Sequence, residues 1–169
     1  YSFDFCLKEK KVKKFSKKPI LKKGDIGYFD DCATIPSHVI KVKNKIFMYY
    51  IGWTRGISVP YISSLGLAIS SGIHKKFSKY DKVPILGRNK NDPIFTASCF
   101  VEKYNNKYRM IYTSNEIWKF KKFFIPHYNL KYAHSKNGID WETSTKFILS
   151  NNSSKEIAIT RPWILNYDK

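Results

Sequence analysis

A chain of 169 residues, 43% of them hydrophobic, is long enough to bury a sizeable core and too apolar for wholesale disorder. Aromatic residues reach 17%, with 12 Tyr, 12 Phe and 4 Trp, which favours half-buried pleated strands. The net charge of +18 invites an anionic partner, but the arginines stand only at 55, 88, 109 and 161, and base and phosphate readout favours Arg forks. Abundant Lys, Asn, Ile, Phe and Tyr together fit the codon bias of an AT-rich genome, so no specific nucleic-acid partner is expected.

No run of about 18 apolar residues exists, so no membrane span is expected. Cys6, Cys32 and Cys99 have no CxxC spacing and read as small buried hydrophobes, and no HExxH pairing is present. No metal or cofactor is therefore expected. The chain begins at Tyr1 rather than Met, and both ends read as cut, so a fragment of a longer protein is expected. No signal peptide is visible in the lysine-rich first 23 residues, which favours a cytoplasmic place, although a leader absent from this sequence would change that.

In chain order, residues 18–21 (Lys-Pro-Ile-Leu) read as the last strand of a preceding unit. A first strand follows at 36–40, then a tight turn at Lys43-Asn44, a second strand at 45–50, a third at 65–70 with Ser71-Gly72 after it, and a fourth at 83–86. The series then recurs: 97–101, Asn105-Asn106, 107–112, 130–135, Asn137-Gly138 and 146–149, with a third first strand at 161–165. No stretch of 12 residues shows a 3.6-residue apolar period, so little helix is expected. Four antiparallel strands per repeat of roughly 60 residues describe a propeller blade, which must stack on neighbours to bury its faces. The fold class is thus all-β, a partial β-propeller of two to three blades. A blade end spans 1–30, two blades span 31–91 and 92–155, and 156–169 starts the next. A β-sandwich with similar strands is the alternative, and four matched positions in the same order weigh against it.

Counting back five residues from Pro36, Ala97 and Arg161 reaches Asp31, Asp92 and Glu156. Equivalent ends of innermost strands converge on a propeller's axis, so this register points three carboxylates into one funnel. Glycoside cleavage needs one carboxylic acid for the leaving oxygen and one carboxylate to activate water or attack, and a third acid can raise its neighbour's pKa. Ordinary turn chemistry is the competing account, above all for Asp92 before Pro93.

The ordered set of segments resembles the five-bladed propeller glycosidases and their relatives: arabinanases, β-xylosidases, invertases, levansucrases and mannoside phosphorylases. It is carried by residues 27–31 with 36–40, 48–53, 65–70, 108–112, 133–141, and Glu156 with Arg161-Pro162. The resemblance implies five blades in the full protein. It also implies a catalytic set of an Asp base, a tuning Asp and a Glu acid, which Asp31, Asp92 and Glu156 match in order and type. The sequence departs from the family at Asn137-Gly138 and Ser71-Gly72, where Asp-Gly is usual, and Asn91-Asp92-Pro93 reproduces only part of the invertase Asn-Asp-Pro-Asn-Gly box.

Around these acids, Trp53, Trp118 and Tyr128 read either as a platform for a sugar ring or as inter-blade packing. Trp141, after the Asn-Gly turn, reads as structural. Arg161 is placed to pair with Glu156 or to bind a substrate group, and His38 to face the funnel or to be a hydrogen-bonded core residue. The function expected is a glycosidic-bond enzyme with a carbohydrate or glycoconjugate partner; a non-catalytic glycan- or protein-binding propeller is the alternative.

Overall fold

The computed structural model describes residues 1–72, 75–151 and 156–165; residues 152–155 and 166–169, which close the second blade and the third unit of the sequence reading, lie outside them. The described residues contain no helix. They form a hairpin of β1 (Phe3–Cys6) and β2 (Lys11–Phe15), followed by two four-stranded antiparallel meanders. The first blade runs β3 (Ala33–Val42), β4 (Lys45–Arg55), β5 (Tyr61–Ser70) and β6 (Ser78–Lys79). The second runs β7 (Phe95–Tyr104), β8 (Lys107–Phe120), β9 (Phe124–Ser135) and β10 (Glu142–Leu149).

The inner hairpins turn where the sequence places them. Val42 pairs with Lys45 and Tyr104 with Lys107, leaving two-residue loops. Asn105 and Asn106 both take positive φ, 46° and 58°, the geometry of a type I′ turn that Asn tolerates better than most residues. Two expectations need correction. The fourth strand of the first blade is Ser78–Lys79, not 83–86; that run reaches the sheet only at Ile85 and Leu86, which bond Leu65 as an isolated bridge. Pro84 cannot donate to a ladder, which breaks the run as a strand. Residues 18–21 are likewise not a strand, again around a proline, and Leu21 instead packs against Met48, Tyr50 and Ala68.

The core lies between the blades. Phe47, Tyr49, Ile51, Leu65 and Leu67 of the first blade meet Cys99, Val101, Tyr108, Met110, Tyr112 and Ala133 of the second. Met48, Tyr50 and Ala68 point the other way, into a second cluster. β4 is therefore covered on both faces, which explains its unbroken apolar run where a half-exposed strand would alternate. The turn at Asn137-Gly138 closes the outer side: the Gly138 carbonyl accepts a 2.8 Å bond from the buried Tyr49 hydroxyl, and Trp141 packs edge-on against the Tyr49 ring, the structural part expected of it. Of the cysteines, Cys99 is buried as expected, whereas Cys32 is exposed and Cys6 intermediate.

Candidate functional site

Each inner strand carries a one-residue β-bulge, between Pro36 and His38 in β3 and between Thr96 and Cys99 in β7. The bulge turns a serine out of the ladder and toward the next blade. Ser37 Oγ accepts from the Cys99 amide (2.7 Å) and donates to the Cys99 carbonyl (3.0 Å). Ser98 Oγ repeats the device one blade later, accepting from the Arg161 amide at 3.0 Å and bonding Thr160 Oγ1 at 3.0 Å. Residues 160–161 thus stand against β7 as Cys99 stands against β3.

Beyond the bulges, His38, Phe100 and Trp163 from three successive inner segments form one ring cluster, with centroids 4.5, 5.5 and 5.1 Å apart. His38 Nδ1 accepts from the Val101 amide at 3.3 Å, and burial holds its pKa below the usual histidine value. His38 is thus a packed, hydrogen-bonded residue on the inner strand.

The three expected acids have three different environments. Asp31 is partly exposed; its Oδ2 accepts a 3.0 Å bond from the Gly27 amide, and that bond, helped by the Thr54 and Cys32 side chains, holds its pKa below the ordinary carboxylate value. Asp92 is wholly buried and saturated. It accepts from Tyr112 Oη (3.0 Å), Ser114 Oγ (2.7 Å) and Asn89 Nδ2 (3.0 Å), and faces Lys131 Nζ at 3.4 Å. Glu156 is exposed, just before the segment that bonds Ser98. Arg161 is also exposed, in the left-handed region at φ 57°, with its amide on Ser98.

The strand register corrects the count that joined Asp31 to Asp92. Thr34 faces Gly52 as Thr96 faces Ser114, and Val39 faces Met48 as Val101 faces Met110. The repeat is therefore 62 residues on both sides of the bulge, and it makes Asp30, not Asp31, the equivalent of Asp92. The side chains agree, because Tyr50 Oη donates to Asp30 (3.0 Å) as Tyr112 does to Asp92. The matched Pro36 and Ala97 lie at the two bulges, where strand residues slip by one against the partner, hence the offset of 61. A 62-residue step from Asp92 reaches Ser154, outside the described residues, and Glu156 lies two residues beyond it.

Sequence reasoning passed over Tyr50, Tyr112 and the lysines that complete these clusters. Lys79 Nζ stands 2.5 Å from Asp30; Lys131, itself buried, meets Asp92, the Asn91 carbonyl (2.5 Å) and Glu116 (2.6 Å). The repeated 20-residue interval between Asp30 and Tyr50 and between Asp92 and Tyr112 was the available signal.

Trp53 and Trp118 are brought together with Tyr128 in one cluster across the two blades. Trp53 stacks on Tyr61 at 4.4 Å, Trp118 meets Tyr61 edge-on at 5.1 Å, and Phe95 joins Trp118 to Tyr128. Tyr61 and Tyr128 also share a hydroxyl–hydroxyl hydrogen bond. This is the inter-blade packing arrangement. The indole N–H groups of Trp53 and Trp118 and both amide atoms of Asn115 are buried with no hydrogen-bond partner among the described residues.

No family model matches the chain. It is 30% identical over 147 residues to two uncharacterized proteins, Rv1502 of Mycobacterium tuberculosis strain H37Rv and MT1551 of strain CDC 1551. The match covers 87% of this chain and 48% of each relative, so the chain spans about half the length of the curated relatives it matches. Among solved structures, a glycoside hydrolase superposes with a TM-score of 0.67 at 20% identity, over 90% of this chain and 45% of its own. A glycosyl hydrolase from Bacteroides ovatus gives 0.52 at 18% identity, over 83% and 35%. CoXyl43, a β-xylosidase/α-arabinofuranosidase from a compost metagenome, gives 0.52 at 9% identity, over 78% and 38%. These likenesses show the fold: the two blades are part of a propeller of the kind glycoside hydrolases use.

Proposed function

We propose that the protein containing this chain is a carbohydrate-active propeller that acts on glycosidic bonds, with Asp31 as general base and Glu156 as general acid. The observation that supports this most is the pairing of a glycoside-hydrolase propeller fold with a half-buried Asp31 and an exposed Glu156, which precede the first and third inner segments. Asp31 suits a base, because the Gly27 amide favours its charged form. Asp92 is enclosed by four polar groups and does not meet substrate directly; its part is to hold the charges around Lys131 in place. Trp53 and Trp118 lie between these acids in the blade order, within the inter-blade aromatic cluster. Arg161 and His38 flank the inner segment as substrate-side and packing groups respectively.

The burial of Asp92 favours one second reading, a glycan-binding propeller without catalysis, since the third acid is closed to solvent. Kinetics of the full-length protein separate the two. Asp31→Asn should abolish hydrolysis of both activated aryl glycosides and unactivated oligosaccharides. Glu156→Gln should slow the unactivated substrates most, because they need leaving-group protonation. Equal small losses for Glu156→Gln remove it from the acid role. Saccharide binding with no turnover by the wild-type protein favours the binding reading.

A further inference from the structure

The two blades share one buried device, and the difference between them is informative. In the first blade Asp30 is met by Tyr50 and by Lys79, one carboxylate and one ammonium. In the second, Asp92 is met by Tyr112 and Lys131, and a further carboxylate, Glu116, joins the lysine at 2.6 Å. In register Asn115 matches Trp53 and Ile117 matches Thr54, so Glu116 is the added residue of a bulge and has no counterpart in the first blade. The fold therefore builds this device without a second acid. Formally the first cluster sums to zero and the second to −1.

Glu116 is also placed unlike its partners. Lys131 is 2% exposed and Asp92 0%, whereas the Glu116 side chain is 31% exposed. Lys131 Nζ holds one oxygen, Oε1; the Ser114 hydroxyl lies 3.3 Å from that oxygen but gives its single proton to Asp92 at 2.7 Å. The carboxylate is thus anchored from beneath at one oxygen and partly open to solvent. It sits at a β-bulge between Asn115 and Ile117, next to Asn115 with its unpartnered amide and two residues before Trp118 of the aromatic cluster. A fixed, partly exposed carboxylate on the strand that also carries Trp118 of the aromatic cluster matches the hydrogen-bond donors of a sugar's hydroxyls.

We propose that Glu116 is a substrate-binding carboxylate, held by the buried Lys131 and accepting hydrogen bonds from hydroxyls of a saccharide. This assignment rests on the carbohydrate reading above and adds to it a residue outside the Asp31, Asp92 and Glu156 set. The full-length protein, its Glu116→Gln variant and a Glu142→Gln control would be applied to an array of immobilised neutral oligosaccharides, with xylotriose and related oligosaccharides as titrants for the hits. Glu142 is an exposed acid whose partner is His134, so the control removes the same charge elsewhere on the second blade. Glu116→Gln should weaken binding at least tenfold with the melting temperature within about 2 °C of wild type, and Glu142→Gln should leave binding unchanged. Binding retained within twofold in Glu116→Gln overturns the assignment and leaves the carbohydrate reading standing. A large drop in melting temperature with unchanged binding overturns it in favour of a structural role. A wild-type protein that binds no saccharide removes the carbohydrate reading, and the assignment with it.

Discussion

Replacing Lys131 by Met tests the buried charge cluster most directly. The methionine fills a similar volume, so packing loss is small and the change isolates the ammonium. Asp92, fully buried, keeps Tyr112, Ser114 and Asn89 as neutral donors but loses its only cation among the described residues, and Glu116 loses its 2.6 Å anchor. Removing one partner of a buried pair costs about 3–5 kcal/mol. Three remaining donors on Asp92 and the partial hydration open to Glu116 place the loss near the lower end, about 3 kcal/mol. Urea denaturation of the full-length protein reads it, with Asp92→Asn and the double variant closing a cycle. The double variant should recover at least about 1 kcal/mol relative to strict additivity, because the uncompensated buried charge is gone. In the first blade, Lys79→Met should cost less, since Lys79 is a quarter exposed and water can replace it at Asp30. A Lys131→Met loss below about 1 kcal/mol, or fully additive single variants, would refute the reasoning.

Three further outcomes follow from local geometry. Gly138→Ala should cost about 2 kcal/mol in thermal or urea unfolding: φ is +76°, and the new Cβ would sit 3.0 Å from the Tyr49 hydroxyl that bonds this residue's carbonyl. Iodoacetamide labelling followed by mass spectrometry should modify Cys32 readily and leave Cys99 untouched until unfolding, because complete burial pushes the Cys99 thiol up to about 12. His38 has a folded pKa depressed by burial, so its contribution is present above the unfolded value of 6.5 and declines as pH falls below it. The stability difference between wild type and His38→Phe should therefore narrow on acidification through that range, and a difference that grows would contradict the neutral, packed histidine.

The chain's own pattern was enough to reveal the strand series, the two-residue turns and the repeat, because these depend on short-range chemistry: alternation, Asn at positive φ, and serine and glycine after the third strands. It also showed acids before the inner strands. The exact partner among them was decided elsewhere. A β-bulge adds one residue to a strand without changing its composition, so matching Pro36 with Ala97 led to Asp31, whereas the cross-strand register led to Asp30. Lys79 and Lys131 come from non-equivalent strands, β6 and β9, and fill equivalent roles only because the folded sheets bring each ammonium to a buried Asp–Tyr pair. The position matching Lys131 in the first blade is Gly66, where a Cβ would lie 2.4 Å from the Tyr50 ring, so the cation there has to arrive from the neighbouring strand. Burial divides Asp31, Asp92 and Glu156 in the same way. Residue type and spacing made them look alike, and solvent access, which depends on what packs above each one, made them different.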